Sequence, residues 1–116
     1  MRKVYCGQYQ SAGPCRVVVR FVNEAGATVS ERNLSPRTDF FNHSPDGYQW
    51  SYGGSGPSQL ALAILADHLD DKVAAVRLHQ AFKSDRISKL PKADFEMTSD
   101  EVAAWLLANR EVAGNA

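Results

Sequence analysis

A chain of 116 residues with 44% hydrophobic and 22% charged residues has the size and balance of one globular domain, which excludes a disordered class. Thirteen basic and thirteen acidic residues give a formal net charge of zero, so nucleic acid is not the expected partner. No apolar run approaches the ~20 residues that span a bilayer; Met1 to Cys15 lacks the apolar core of a leader peptide, and the cytoplasm is the expected location.

Lys3 to Tyr5 reads as a short strand, followed by an exposed loop from Gly7 to Pro14 that carries two glycines and a proline. Arg16 to Val22 is rich in β-branched residues and reads as a strand with Val17, Val19 and Phe21 on one face. Asn23 to Gly26 is a turn signal, and Ala27 to Leu34 completes a hairpin. Ser35 to Gly47 then forms a long connection that contains Pro36 and Pro45 and ends on the Asp46-Gly47 turn pair. Tyr48-Gln-Trp-Ser-Tyr52 alternates aromatic and polar residues, which predicts a strand with Tyr48, Trp50 and Tyr52 on one face, packed against an apolar helix.

Pro57 suits the first position of that helix, and Leu60 to Ala66 has no polar residue, so this helix is expected at the centre of the core. Truncating Leu62 or Leu65 to Ala there would cost about 2–5 kcal/mol. Asp70 is positioned to cap a second helix running to about Phe82, with Ala75, Leu78 and Phe82 facing inward. Phe95 to Met97 reads as a short extended segment, and Thr98-Ser-Asp-Glu101 as a capping box that opens a last helix with Val102, Trp105 and Leu106 inside. The expected fold is a single α+β domain over 1–116, with a small antiparallel sheet of three to four strands in the first half packed against about three helices in the second.

Two segments carry candidate binding residues. The long loop and its flanks offer Arg32, Arg37, Phe40, Phe41, His43 and Asp46 as a protein-contact surface, because aromatic residues and Arg concentrate binding energy. Gly53-Gly-Ser-Gly-Pro-Ser58 joins a strand to a helix. Its glycines permit a sharp reversal, and the helix N-terminus offers Ser55, Gly56 and Ser58 to an anion. A P-loop is excluded, since Pro57 and Ser58 stand where Lys and Ser or Thr are required. A nucleophile elbow at Ser55 is disfavoured because Pro57 replaces the final glycine.

His43, Ser44 and Asp46 are adjacent rather than spatially arranged as a triad, so no catalytic residue is assigned, although His43 would be the base if catalysis occurred. His43, His68 and His79 sit at no familiar ligand spacing, so no metal and no cofactor is expected. His79 reads as a packing histidine one turn before Phe82, and Lys83, Arg86 and Lys89 as a solvated helix face. Cys6 and Cys15 are expected to be reduced.

The run from Asn42 to Leu65, with HSPDGYQWSYGGSGPSQLALAIL at its centre, resembles the signature of an uncharacterised domain family found in bacteria, phages and plasmids. The likeness extends from Val4-Tyr5 through Phe82-Lys83 to Trp105. It implies a mobile-element or accessory context and no particular activity, and Ser51 departs from the glycine associated with its position. The leading functional expectation is therefore a non-enzymatic protein-interaction module, such as a phage- or plasmid-borne accessory protein or host-defence inhibitor. A small phosphorylated ligand bound at the Gly53 to Ser58 turn is second, and a hydrolase using His43 and Ser55 is third.

Overall fold

The computed structural model describes residues 2–44 and 47–109. Strands β1 (Arg2–Gln8), β2 (Arg16–Val22) and β3 (Thr28–Asn33) form an antiparallel meander. The turn between β2 and β3 is closed by the Asn23 side chain, which accepts hydrogen bonds from the amides of Ala25 and Ala27, while Gly26 takes a φ of +86°. Strand β4 (Phe95–Thr98) pairs with the free side of β1, giving the order β3-β2-β1-β4. The chain is α+β as expected, but its fourth strand comes from the second half of the sequence.

The aromatic segment Tyr48 to Tyr52 is not a strand. It makes a single bridge, Cys15 to Tyr48, and its rings part company: Tyr48 and Trp50 are buried whereas Tyr52 is 51% exposed. The Tyr48 hydroxyl donates to Leu34 O at 2.8 Å and Trp50 Nε1 to Ala93 O at 3.0 Å, which fixes both rings in the core. Ser51 then adopts a φ of +82°, which breaks the extended conformation and turns Tyr52 outward. Gly7 makes room for this packing, because a Cβ there would lie 2.2 Å from the Phe95 ring and 2.8 Å from Trp50.

Helix α1 (Ser55–Leu69) starts two residues before Pro57, with Gly54 at its N-cap. Pro57 still falls in the first turn, where backbone N–H groups have no helical partner. Leu60 to Ala66 are all buried, sharing one cluster with Tyr5, Val17, Val19 and Met97 of the sheet and with Leu78, Phe82 and Val102 of the other helices. Asp70 does not cap the second helix. It closes α1 in the left-handed conformation (φ 51°), its N–H donating to Ala66 O, as a short polar side chain permits. Asp71 caps α2 (Lys72–Phe82) by accepting from the Ala74 amide.

A π-helical turn, Lys83–Ile87, extends α2, so Lys83, Arg86 and Lys89 do not form the regular α-helical stripe that their spacing suggests. Helix α3 (Ser99–Ala108) opens on the capping box at Thr98 and Glu101. Cys15 lies in the main core and Cys6 in a second cluster with Val4 and Val18; both are free thiols. Among the described residues no helix is long and apolar enough to cross a membrane.

Candidate interaction surface

The loop after β3 is organised by one side chain of α1. Gln59 is fully buried in a helix whose next seven residues are apolar, and all its polar capacity goes to the loop. Its Oε1 accepts from the amides of His43 (2.7 Å) and Ser44 (3.0 Å), and its Nε2 donates to the carbonyls of Pro36 (2.6 Å) and Phe41 (3.0 Å). A buried amide satisfied at four points holds residues 36–44 in one conformation. Arg37, at a φ of 53°, accepts from the amides of Phe40 and Phe41 through its carbonyl, and this turn presents the two rings.

Phe40 lies beneath the Arg37 guanidinium, 3.8 Å from Cζ to ring centroid, with Lys72 Nζ at 5.9 Å, a cation–π arrangement. Arg37 also holds Asp39 through two hydrogen bonds of 3.1 and 3.0 Å. Phe41 remains 49% exposed and stacks on His43 with centroids 4.3 Å apart and planes 21° from parallel.

His43 reaches across to α2, where its Nε2 lies 2.8 Å from Nε2 of His79. His79 Nδ1 is 2.6 Å from Val76 O. A carbonyl only accepts, so Nδ1 carries the proton and Nε2 of His79 receives the hydrogen bond from His43. Burial lowers the pKa of His43, with the charges of His79 and Lys83 acting the same way. Burial also lowers that of His79, against bonds to the Val76 and Ala75 carbonyls and together with the charge of Lys83. Both shifts favour the neutral form of the rings.

Of the sequence candidates, Arg37, Phe40, Phe41 and His43 are brought onto one loop surface. Arg32 is committed elsewhere: its guanidinium donates to Asp67 at 2.6 Å and lies over Phe21. Asp46 lies outside the described residues. The three anion-binding candidates sit differently, with Ser55 exposed and Gly56 and Ser58 buried. Ser55 and Gly56 border an open cavity of about 510 Å³ shared with Gly13, Pro14, Ser44 and Tyr52. Ser58 N donates to Gly54 O, Pro57 has no N–H, and Gln49 packs on Gly56, where a Cβ would come within 2.8 Å. Among the described residues, the amides of Ser55 and Gly56 thus remain for an anion, and neither Lys nor Arg lines the cavity.

Three residues escaped the sequence reading. Gln59 carries the loop, and its only signal is a single large amide at the head of an apolar helix. His79 is buried, as a packing histidine should be, but its hydrogen bond to His43 had no signal in the sequence. Asp67 ties the end of α1 to the sheet, accepting from Lys3 (3.1 Å), Tyr5 (2.8 Å) and Arg32. Burial pushes its carboxyl up, and the bonds from Arg32, Tyr5 and Lys3 outweigh that, so the net pKa is lowered. The same carboxylate, after burial, helps to raise the pKa of Tyr5.

Together these features define a small α+β domain that displays an aromatic loop on which Arg37 is paired with Asp39. Residues 17–108 match a family of unknown function, DUF6166, and the chain belongs to it, in keeping with the family likeness of its Asn42 to Leu65 signature. Comparisons with curated proteins and with solved structures give no significant match.

Proposed function

We propose that this chain is a non-enzymatic protein-interaction module that contacts its partner through the loop 36–44, of the kind a phage or plasmid carries as an accessory protein or host-defence inhibitor. The observation that carries this reading is Phe41: a large aromatic ring half exposed, stacked on His43, on a backbone fixed from beneath by Gln59. An exposed aromatic anchor on a preorganised loop binds with little entropy left to lose. Lys72 beside Phe40, with Arg37 already paired to Asp39, favours a partner that covers Phe41 with apolar surface and offers a carboxylate to Lys72 at the rim.

The test is capture of proteins from bacterial lysate, with nuclease present, by the wild-type domain and by an Arg37→Ala, Phe41→Ala variant whose thermal unfolding matches wild type. A near-stoichiometric protein retained by wild type and lost by the variant supports the reading; retention by both, or by neither, contradicts it. The open cavity beside Ser55 favours a second reading, a small phosphorylated ligand at the N-terminus of α1, which isothermal titration with nucleotides and inorganic phosphate tests directly.

A further inference from the structure

We infer that His43 and His79 form a chelating site for a borderline divalent transition metal of the zinc, nickel and copper class. The two residues are 36 positions apart, one on the loop and one on α2, yet their Nε2 atoms meet at 2.8 Å. A tetrahedral metal with metal–nitrogen bonds of about 2.0–2.1 Å holds its two nitrogens about 3.3 Å apart. Opening the pair by roughly half an ångström therefore admits the ion.

The surroundings are those of a ligand histidine. His79 is 3% exposed, and its Nδ1–H donates to Val76 O, which fixes the ring and directs the Nε2 lone pair at the site, the usual outer-shell arrangement of a metal-bound imidazole. His43 is held in place through its backbone amide by Gln59 and through its ring by Phe41, so both ligands are positioned before the ion arrives. The side-chain amide nitrogen of Gln80 lies 3.3 Å from His79 Nε2, and rotation of that amide offers its oxygen as a third donor. Neutral imidazoles are the form that binds, and the lowered pKa of both rings agrees.

On binding, the His43 Nε2–H hydrogen bond breaks and that proton passes to Nδ1 through solvent. Two nitrogen–metal bonds form, with no redox change. Among the described residues no three His, Cys, Asp or Glu side chains converge, so water completes the coordination and the site is an exchangeable chelate. The charge of Lys83, which acts on both rings, opposes a dication, and its removal strengthens binding.

The experiment titrates zinc chloride, then nickel chloride, into the metal-free wild-type chain and into His43→Ala, His68→Ala, Gln80→Ala and Lys83→Gln variants, reading calorimetric affinity and histidine ring NMR signals. Wild type and His68→Ala should bind one equivalent with the same affinity and shift the His43 and His79 rings. His43→Ala should bind at least about tenfold more weakly, the lower end of what even an outer-shell loss costs, and Lys83→Gln more tightly. His79→Asn is added, with folding checked by circular dichroism, because His79 is buried. No saturable binding by wild type at millimolar metal, or unchanged affinity in His43→Ala, overturns the inference.

Discussion

Replacing Gln59 by Leu keeps roughly the volume of a fully buried side chain and removes four hydrogen bonds, two to amides and two to carbonyls of the loop. At a net ~0.5–1.5 kcal/mol each, these sum to about 2–6 kcal/mol. His43 and Ser44 are only half-buried, so water recovers part of the loss and the lower half applies, about 2–4 kcal/mol. Urea unfolding measures the total. Native-state hydrogen exchange at the His43 and Ser44 amides locates it, because those two protons should lose protection far more than the amides of β1 and β2.

Gln59→Glu sharpens the experiment. The carboxylate can still accept from both amides but sets oxygen against the carbonyls of Pro36 and Phe41, and its burial raises its pKa. A folded-state pKa above the unfolded value of about 4.3 means that stability falls as pH rises through the interval between the two and levels off above it. A Leu variant destabilised by less than about 0.5 kcal/mol, within the range of a neutral surface change, with His43 and Ser44 still protected, would refute the claim that Gln59 organises the loop.

Other residues give independent expectations. Ser51 holds a φ of +82° and a buried hydroxyl without a hydrogen-bond partner among the described residues, so Ser51→Gly should raise stability by about 1 kcal/mol in thermal or urea unfolding. Asp67 has a lowered pKa, so its contribution is present above the ordinary carboxylate pKa near 4 and lost as pH falls; Asp67→Asn should destabilise at neutral pH and flatten acid unfolding below about pH 4. Gly7→Ala drives a methyl into Phe95 and Trp50 and should cost about 1–3 kcal/mol, with a change in Trp fluorescence. Phe41→Ala should leave stability within about 0.5 kcal/mol, since its ring is half exposed.

The parts of the fold set by local chemistry were legible. Thr98 and Glu101 make their capping box in any helix start, the apolar run Leu60 to Ala66 admits only a buried helix, and the β-branched Val17 to Val19 fit only a strand. Tyr48 to Tyr52 misled because alternation reports burial, not pairing: Tyr48 and Trp50 are inside, but side-chain bonds to Leu34 and Ala93 hold them where a ladder was expected. The positive φ of Ser51 had no signal of its own, because a serine in an alternating run reads as extended. At the surface, Arg37, Phe40, Phe41 and His43 could be found from residue type and loop length. Their organisation could not, because Gln59 and His79 act across separations of 16 and 36 residues that no local pattern encodes.

The proposed protein interface centres on Phe41. A photo-crosslinking phenylalanine analogue placed at position 41, and separately at position 29, where Val29 is 54% exposed on β3, tests it in living bacteria. A discrete higher-mass species from position 41 and none from position 29 is the predicted result. Equal adducts at both positions, or none at 41 while the domain remains folded, would rule out an interface at Phe41.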